Sequence, residues 1–99
     1  MGDQATLVQR QTGRGTVKQW SLNRTILRIG RGADNDVILA EREVSRHHAE
    51  IRKEGESFIV TDLGSTNGTF VNEIEVRAPT SIEEGDVVRV GRVEMRIVR

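Results

Sequence analysis

The 99-residue chain has no cysteine. Disulfide staples and cysteine-ligated metal centres are therefore excluded, and a reducing compartment fits. No apolar run approaches the roughly 18 residues of a membrane-spanning helix, and the N-terminus lacks the apolar core of a secretory signal. A soluble, cytoplasmic chain with no membrane partner is the expectation. Charge of one sign is lacking too: fifteen Lys and Arg balance fifteen Asp and Glu. Strong non-specific binding to nucleic acid is not expected of such a chain. No segment sustains a helical apolar period; Ala40–His48 comes nearest, and β-branched and turn-prone residues break it. Internal repeats, linkers and low-complexity tracts are missing as well.

What the chain does have is ten glycines, a single proline and many short Val- and Ile-rich runs between turn signals. That pattern predicts an all-β fold. The length suits one domain over residues 1–99, with residues 1–4 as a loose end. Ala5–Arg10 and Thr16–Leu22 form a first hairpin through Gln11–Gly15, with Val17 and Trp20 packing inward. Thr25–Arg31 follows, burying Ile26, Leu27 and Ile29, and then the short buried strand Val37–Leu39. Ala49–Arg52 and Ser57–Asp62 flank a turn at Lys53–Glu56. Thr69–Val71 and Ile74–Val76 come next, then Ala78–Ile82, read as irregular because Pro79 cannot donate to a central ladder. Asp86–Val90 pairs with Val93–Val98 through Gly91-Arg92. Ten or eleven short strands of this kind suit a two-sheet sandwich.

The balanced charge is unevenly spread. Residues 1–33 carry six basic and one acidic residue, residues 34–86 five and thirteen, and residues 87–99 four and one. The partial sums of +5, −8 and +3 cancel. Alternating solvent faces of strands account for this; were the two ends to pair in one sheet, a basic face for an acidic neighbour is the alternative.

Three stretches carry chemistry. Asp62–Asn72 reads DLGSTNGTFVN, and Ser65, Thr66, Asn67 and Gly68 are consecutive turn formers. An Asn-Gly pair by itself signals only a hairpin. Clustered hydroxyls, an amide and free backbone N–H groups, however, suit an anion. Gly30–Asp36 (GRGADND) lacks the third glycine of a dinucleotide loop and the Gly-Lys-Ser/Thr ending of a P-loop. Asp34, Asn35 and Asp36 lack the rest of a calcium loop, so Asx turns that shape the segment are the better account.

Ser45, His47 or His48, and Asp62 can be assembled on paper into a hydrolase triad. No nucleophile elbow surrounds Ser45, and no catalytic residue is expected. Neighbouring histidines on a strand point to opposite faces, so no metal site is expected either. Arg31, Ser45, Arg46, Thr66 and Asn67 taken together supply guanidinium, hydroxyl and amide donors. A phosphate dianion, with about −1.5 to −2 charge and three acceptor oxygens, needs that set.

Gly30-Arg31, Asn35-Asp36, Ser45-Arg46-His47-His48, Leu63–Thr69 and Gly85-Asp86 with Val88, Val90 and Gly91 together resemble the forkhead-associated (FHA) domain. The match runs in order over essentially the whole chain. The resemblance implies a β-sandwich of about eleven strands whose loops at one end bind phosphothreonine peptides. It implies that Arg31 reaches the phosphate and that Ser45 donates its hydroxyl to it. Thr66 shapes the phosphate-facing side and a pocket for the threonine methyl. Asn67 grips the peptide main chain, and Arg46 adds its backbone N–H or its charge. Gly30, His48 and Gly68 support the site, with His47 exposed in a variable slot. A phosphothreonine-containing partner in a Ser/Thr kinase-linked pathway is implied, without catalysis, metal or cofactor. A phosphate-independent scaffold of the same fold is the alternative.

Two departures bear on specificity. The family commonly has Asn-Gly where this chain has Asn72-Glu73, so Glu73 adds a charge beside the site. Glu41 and Glu43 precede Ser45, and with them the chain is expected to disfavour acidic peptide residues after the phosphothreonine.

Overall fold

A computed structural model describes residues 5–10 and 18–99. The expected loose end at residues 1–4 and the turn at 11–15, with Thr16 and Val17, lie outside the described residues. The described residues form eleven strands and no helix, so none of them belongs to a helix long and apolar enough to cross a membrane. In chain order these are β1 (Thr6–Gln9), β2 (Gln19–Ser21), β3 (Ile26–Gly30), β4 (Val37–Ile38), β5 (Ala49–Glu54) and β6 (Ser57–Asp62). The remainder are β7 (Thr69–Val71), β8 (Ile74–Glu75), β9 (Thr80–Ile82), β10 (Val87–Val90) and β11 (Val93–Val98). They form a six-stranded sheet, β2-β1-β11-β10-β7-β8, and a five-stranded sheet, β4-β3-β5-β6-β9. Only β3 and β4 pair in parallel; the other neighbours are antiparallel.

Period-two alternation decides which side chains meet between the sheets. On β11, Val93, Met95 and Ile97 are buried, while Glu94, Arg96 and Val98 point away. Leu7, Val88 and Val90 join them from the same sheet, against Leu27, Ile29, Ile51, Phe58 and Val60 from the other. Each such buried side chain contributes about 1.5–3 kcal/mol relative to exposure.

Several sequence-based expectations need adjustment. Ala78–Ile82 is not irregular throughout: Thr80–Ile82 is strand β9, paired antiparallel with β6. Pro79 precedes the strand, and β9 is an edge, so no ladder hydrogen bond is forfeited. β5 runs on to Glu54, and the turn shrinks to Gly55-Glu56, where Gly55 takes a φ of 63°. Of Val37–Leu39, Ile38 faces solvent, and Trp20 is half-buried against the core rather than within it. Ile26 is half-buried, while Leu27 and Ile29 are the members of β3 that enter the core.

The two basic ends do pair, as β1 lies beside β11. Their outer face is nonetheless mixed in sign. Arg10 pairs with Glu94 at 2.9 Å, and Arg89 with Glu73 at 3.0 Å.

The five-stranded sheet also places the functional loops. Ile29 is paired with Ala49, and Ala49 with Asp62, in one row across β3, β5 and β6. The chain leaves β3, enters β5 and leaves β6 beside that row. Loops separated by dozens of residues in sequence thereby share one end of the sandwich.

Candidate functional site

The loop after β3 is shaped by its Asx residues. Asn35 is buried, and its Nδ2 donates to the carbonyl oxygens of Gly32 and Arg46, each at 2.8 Å. The Asp36 carboxylate accepts from the Arg28 N–H at 2.8 Å and from Arg24 at 2.7 Å. The loop is then stitched to the next one: Arg31 N–H donates to Ser45 O, and Gly32 N–H to Arg46 O. This stitching requires Gly30. A Cβ there would run into the Arg46 carbonyl oxygen and would lie 2.8 Å from Asn35 Nδ2.

Asp62 organises the second wall. Its carboxylate accepts from the Gly64 and Ser65 N–H groups, each at 3.0 Å, and from the hydroxyls of Ser65 and Thr69. Burial pushes its pKa upward, yet the hydrogen bonds from Ser65, Thr69 and Gly64 outweigh that and hold the carboxyl below its ordinary value. Ser65 Oγ in turn accepts from the Gly68 N–H at 2.9 Å. Sequence reasoning considered Asp62 only as a triad member. Its spacing ahead of Ser65, the signature of an Asx turn, was the available signal.

His48 ties the two walls together. It is fully buried, its Nδ1 accepts from the Ser45 N–H at 3.0 Å, and its Nε2 lies 2.8 Å from Gly68 O. Because Nδ1 must accept, Nε2 carries the proton and donates. His47 diverges to the surface and bonds Asp34 at 2.9 Å. That hydrogen bond holds the Asp34 carboxyl below its ordinary pKa.

Between the walls lies a depression of about 340 Å³ lined by Arg31, Arg42, Glu43, Val44, Ser45, Arg46, Thr66 and Asn67. All five residues singled out for phosphate from the sequence meet here. A larger hollow, about 480 Å³, lies on the outer face of the six-stranded sheet and is lined by strand residues such as Val8, Val87 and Met95. It gathers none of those five.

The donors are not the ones the turn suggested. The amides of Gly64, Ser65, Thr66 and Gly68 are all consumed within the protein. What remains uncommitted is mostly side chain. The Arg31 and Arg46 guanidiniums and the Thr66 hydroxyl have no partner among the described residues, and neither do the Arg46 and Asn67 N–H groups. Ser45 Oγ accepts from the Thr66 N–H at 3.0 Å, which leaves its own proton free. Asn67 Nδ2 donates to Glu43 O at 2.9 Å, which leaves its Oδ1 free to accept.

Ser45, His48 and Asp62 do not align as a proton relay. The histidine receives the Ser45 amide rather than its hydroxyl, and Asp62 bonds Ser65 and Thr69 instead of the imidazole. Among the described residues no group of three or more His, Asp or Glu side chains is placed to hold a metal ion.

The two specificity candidates are both paired. Glu43 Oε2 lies 3.3 Å from Arg92 Nε. Glu73 is outside the depression, on the β7–β8 hairpin. The Arg89 hydrogen bonds hold its carboxyl below the ordinary range. Arg89 itself stacks on the Phe70 ring at 4.2 Å and donates to Gly91 O.

The family model "FHA domain" matches residues 27–91. The chain is 40% identical over 98 residues to the FHA domain-containing protein FhaA of Mycobacterium tuberculosis, covering 99% of this chain and 18% of FhaA. A structure of M. tuberculosis EmbR in complex with a low-affinity phosphopeptide superposes with a TM-score of 0.84 at 34% identity, covering 95% of this chain and 24% of that one. A structure from a study of phosphothreonine-dependent FHA domain interactions superposes at 0.88 with 35% identity, covering 98% and 97%. The chain thus spans about a fifth of the length of the curated relatives FhaA and EmbR.

Proposed function

The chain belongs to the FHA domain family, and we infer from that membership and from its site that it is a module for capturing phosphothreonine-containing segments of partner proteins. The observation that carries the reading is the set of uncommitted donors converging on one depression. Arg31, Ser45, Thr66, Asn67 and Arg46 line it together, while the amides of Gly64, Ser65, Thr66 and Gly68 are already satisfied within the protein. Such a surface needs no rearrangement to accept an anion rich in acceptors.

In this reading Arg31 and the free Ser45 hydroxyl proton bind phosphate oxygens, and Arg46 adds its N–H and charge. Thr66 closes the side that meets the threonine methyl. Asn67 holds the peptide main chain through Oδ1, its other end anchored to Glu43 O. Gly30, His48 and Gly68 keep the loops in place. The module binds without turnover, because Ser45 has no base on its hydroxyl and His48 is spent on bracing. Residues 1–99 act as one such domain, in the cytoplasm, downstream of a Ser/Thr kinase that marks the partner.

Phosphate loses its second charge with a pKa of about 6. Calorimetric affinity for a phosphothreonine peptide is therefore expected to hold at neutral pH, to weaken as pH falls through about 6, and to vanish after phosphatase treatment. Equal binding of the dephosphorylated peptide would leave only a phosphate-independent scaffold.

A further inference from the structure

The chain has four asparagines, Asn23, Asn35, Asn67 and Asn72, and only Asn67 is followed by glycine. Asn-Gly is the pair whose side-chain amide cyclises most readily, because glycine puts no Cβ in the way of its own nitrogen. Here the glycine cannot be exchanged for a safer residue. Gly68 holds a φ of 89°, a region that side chains disfavour. The turn thus builds a labile amide into an exposed residue that lines the depression. Two hydrogen bonds stand against the reaction. The Gly68 N–H, which must lose its proton before the nitrogen can attack, donates to Ser65 Oγ at 2.9 Å. The Asp62 carboxylate accepts the Ser65 hydroxyl proton, which leaves the Ser65 lone pairs for Gly68. Asn67 Nδ2 is held on Glu43 O at 2.9 Å, and that bond across to the neighbouring loop limits rotation of the amide towards the Gly68 nitrogen.

We propose that Asn67 is a deamidation site held latent by Ser65, and that its conversion switches off peptide capture. The Gly68 nitrogen, having given its proton to solvent, attacks Asn67 Cγ. The new C–N bond closes a five-membered imide, the bond from Cγ to Nδ2 breaks, and ammonia leaves. Water then opens the imide at either carbonyl, giving aspartate or isoaspartate. No electrons change hands, and water is the only co-reactant. In the aspartate product an oxygen replaces Nδ2 and faces the Glu43 carbonyl oxygen instead of donating to it. A negative charge then stands among Arg31, Ser45, Arg46 and Thr66, opposed to an incoming phosphate. Isoaspartate also lengthens the main chain by one carbon within the turn. The chemistry is independent of the phosphothreonine reading; its consequence for capture rests on that reading.

The test incubates wild type, Ser65→Ala and Ser65→Thr at mildly alkaline pH, well below their melting transitions, and follows conversion at Asn67 by peptide mass spectrometry. Wild type unfolded in urea supplies the unprotected rate, and Asn23, Asn35 and Asn72 serve as internal references. Folded wild type is expected to convert more than about tenfold slower than the unfolded chain, and Ser65→Ala about two- to tenfold faster than wild type. Ser65→Thr keeps an acceptor oxygen and stays near the wild-type rate, which a merely loosened turn would not explain. Converted protein, and Asn67→Asp as its mimic, are then titrated with a phosphothreonine peptide, with a loss of about tenfold or more expected. Equal rates in folded and unfolded wild type, no acceleration in Ser65→Ala, or equal acceleration in Ser65→Thr overturns the guarding role of Ser65. Converted protein that binds as well as fresh protein overturns the switch. Failure of fresh wild type to bind any phosphopeptide overturns the phosphothreonine reading and the switch with it, while the conversion rates still decide the role of Ser65.

Discussion

The buried imidazole of His48 donates from Nε2 to the carbonyl oxygen of Gly68, 2.8 Å away, while its Nδ1 accepts the Ser45 N–H. One side chain thereby sets the separation of the two loops that supply Ser45 and Thr66. Its place is structural although it hydrogen-bonds the backbone of Ser45, a residue assigned to binding.

His48→Ala removes both hydrogen bonds at once. It leaves the Ser45 N–H and the Gly68 carbonyl unpaired beside a cavity. A loss of about 2–4 kcal/mol in stability is expected, with affinity falling because the loops drift apart. Chemical denaturation checks this. Unchanged stability would assign His48 a contact role instead.

Asp62 makes stability depend on acid. Its folded-state pKa lies below the ordinary 3.8. The stability it contributes is therefore complete above the unfolded value and is lost as pH falls through the lower folded one. Asp62→Asn is expected to cost about 1–2 kcal/mol at neutral pH, a figure reduced for its half-exposed position. The difference between the two proteins should shrink below about pH 4. Thermal melts across that range decide it; a gap that persists or grows in acid contradicts the assignment.

The β7–β8 hairpin carries strain that a substitution can release. Asn72 and Glu73 both take positive φ, 50° and 67°. Asparagine tolerates that region, whereas glutamate does not favour it. Glu73→Gly restores the Asn-Gly pair that suits a two-residue hairpin. It loses only an exposed ion pair with Arg89. Tm is expected to rise by about 2–5 °C, and to rise further at high salt, where the wild-type pair is screened. A fall in Tm would show that Arg89, stacked on Phe70, depends on Glu73 for its position.

Much of this was readable from residue types. The Ser65–Gly68 turn, the Asx loop after β3 and the alternation of β11 all follow from local chemistry, and residues 57–62 form a strand with the bounds the sequence implies. β9 was hidden because Pro79 reads as a breaker, while the edge position that tolerates it is a property of the sheet. The pairing of Glu43 with Arg92 was equally hidden, since it depends on the β10–β11 turn reaching the loop before β5. Charges read singly from the sequence put Glu43 beside the depression, which it lines, but hid its Arg92 partner. Only the folded register shows which carboxylates are already neutralised.

The central claim is tested most directly by titrating one peptide in phosphothreonine, phosphoserine and unphosphorylated forms into wild type and Arg31→Ala. Arg31 is exposed and its side chain holds no partner in the described structure, so the variant should melt with wild type. Losing a guanidinium from a desolvated charge pair costs about 2–5 kcal/mol, at about 1.4 kcal/mol per decade of affinity. The account expects saturable binding of the phosphothreonine form alone, lost by more than tenfold in Arg31→Ala. Binding that ignores phosphorylation, or that survives Arg31→Ala in a folded protein, would contradict it.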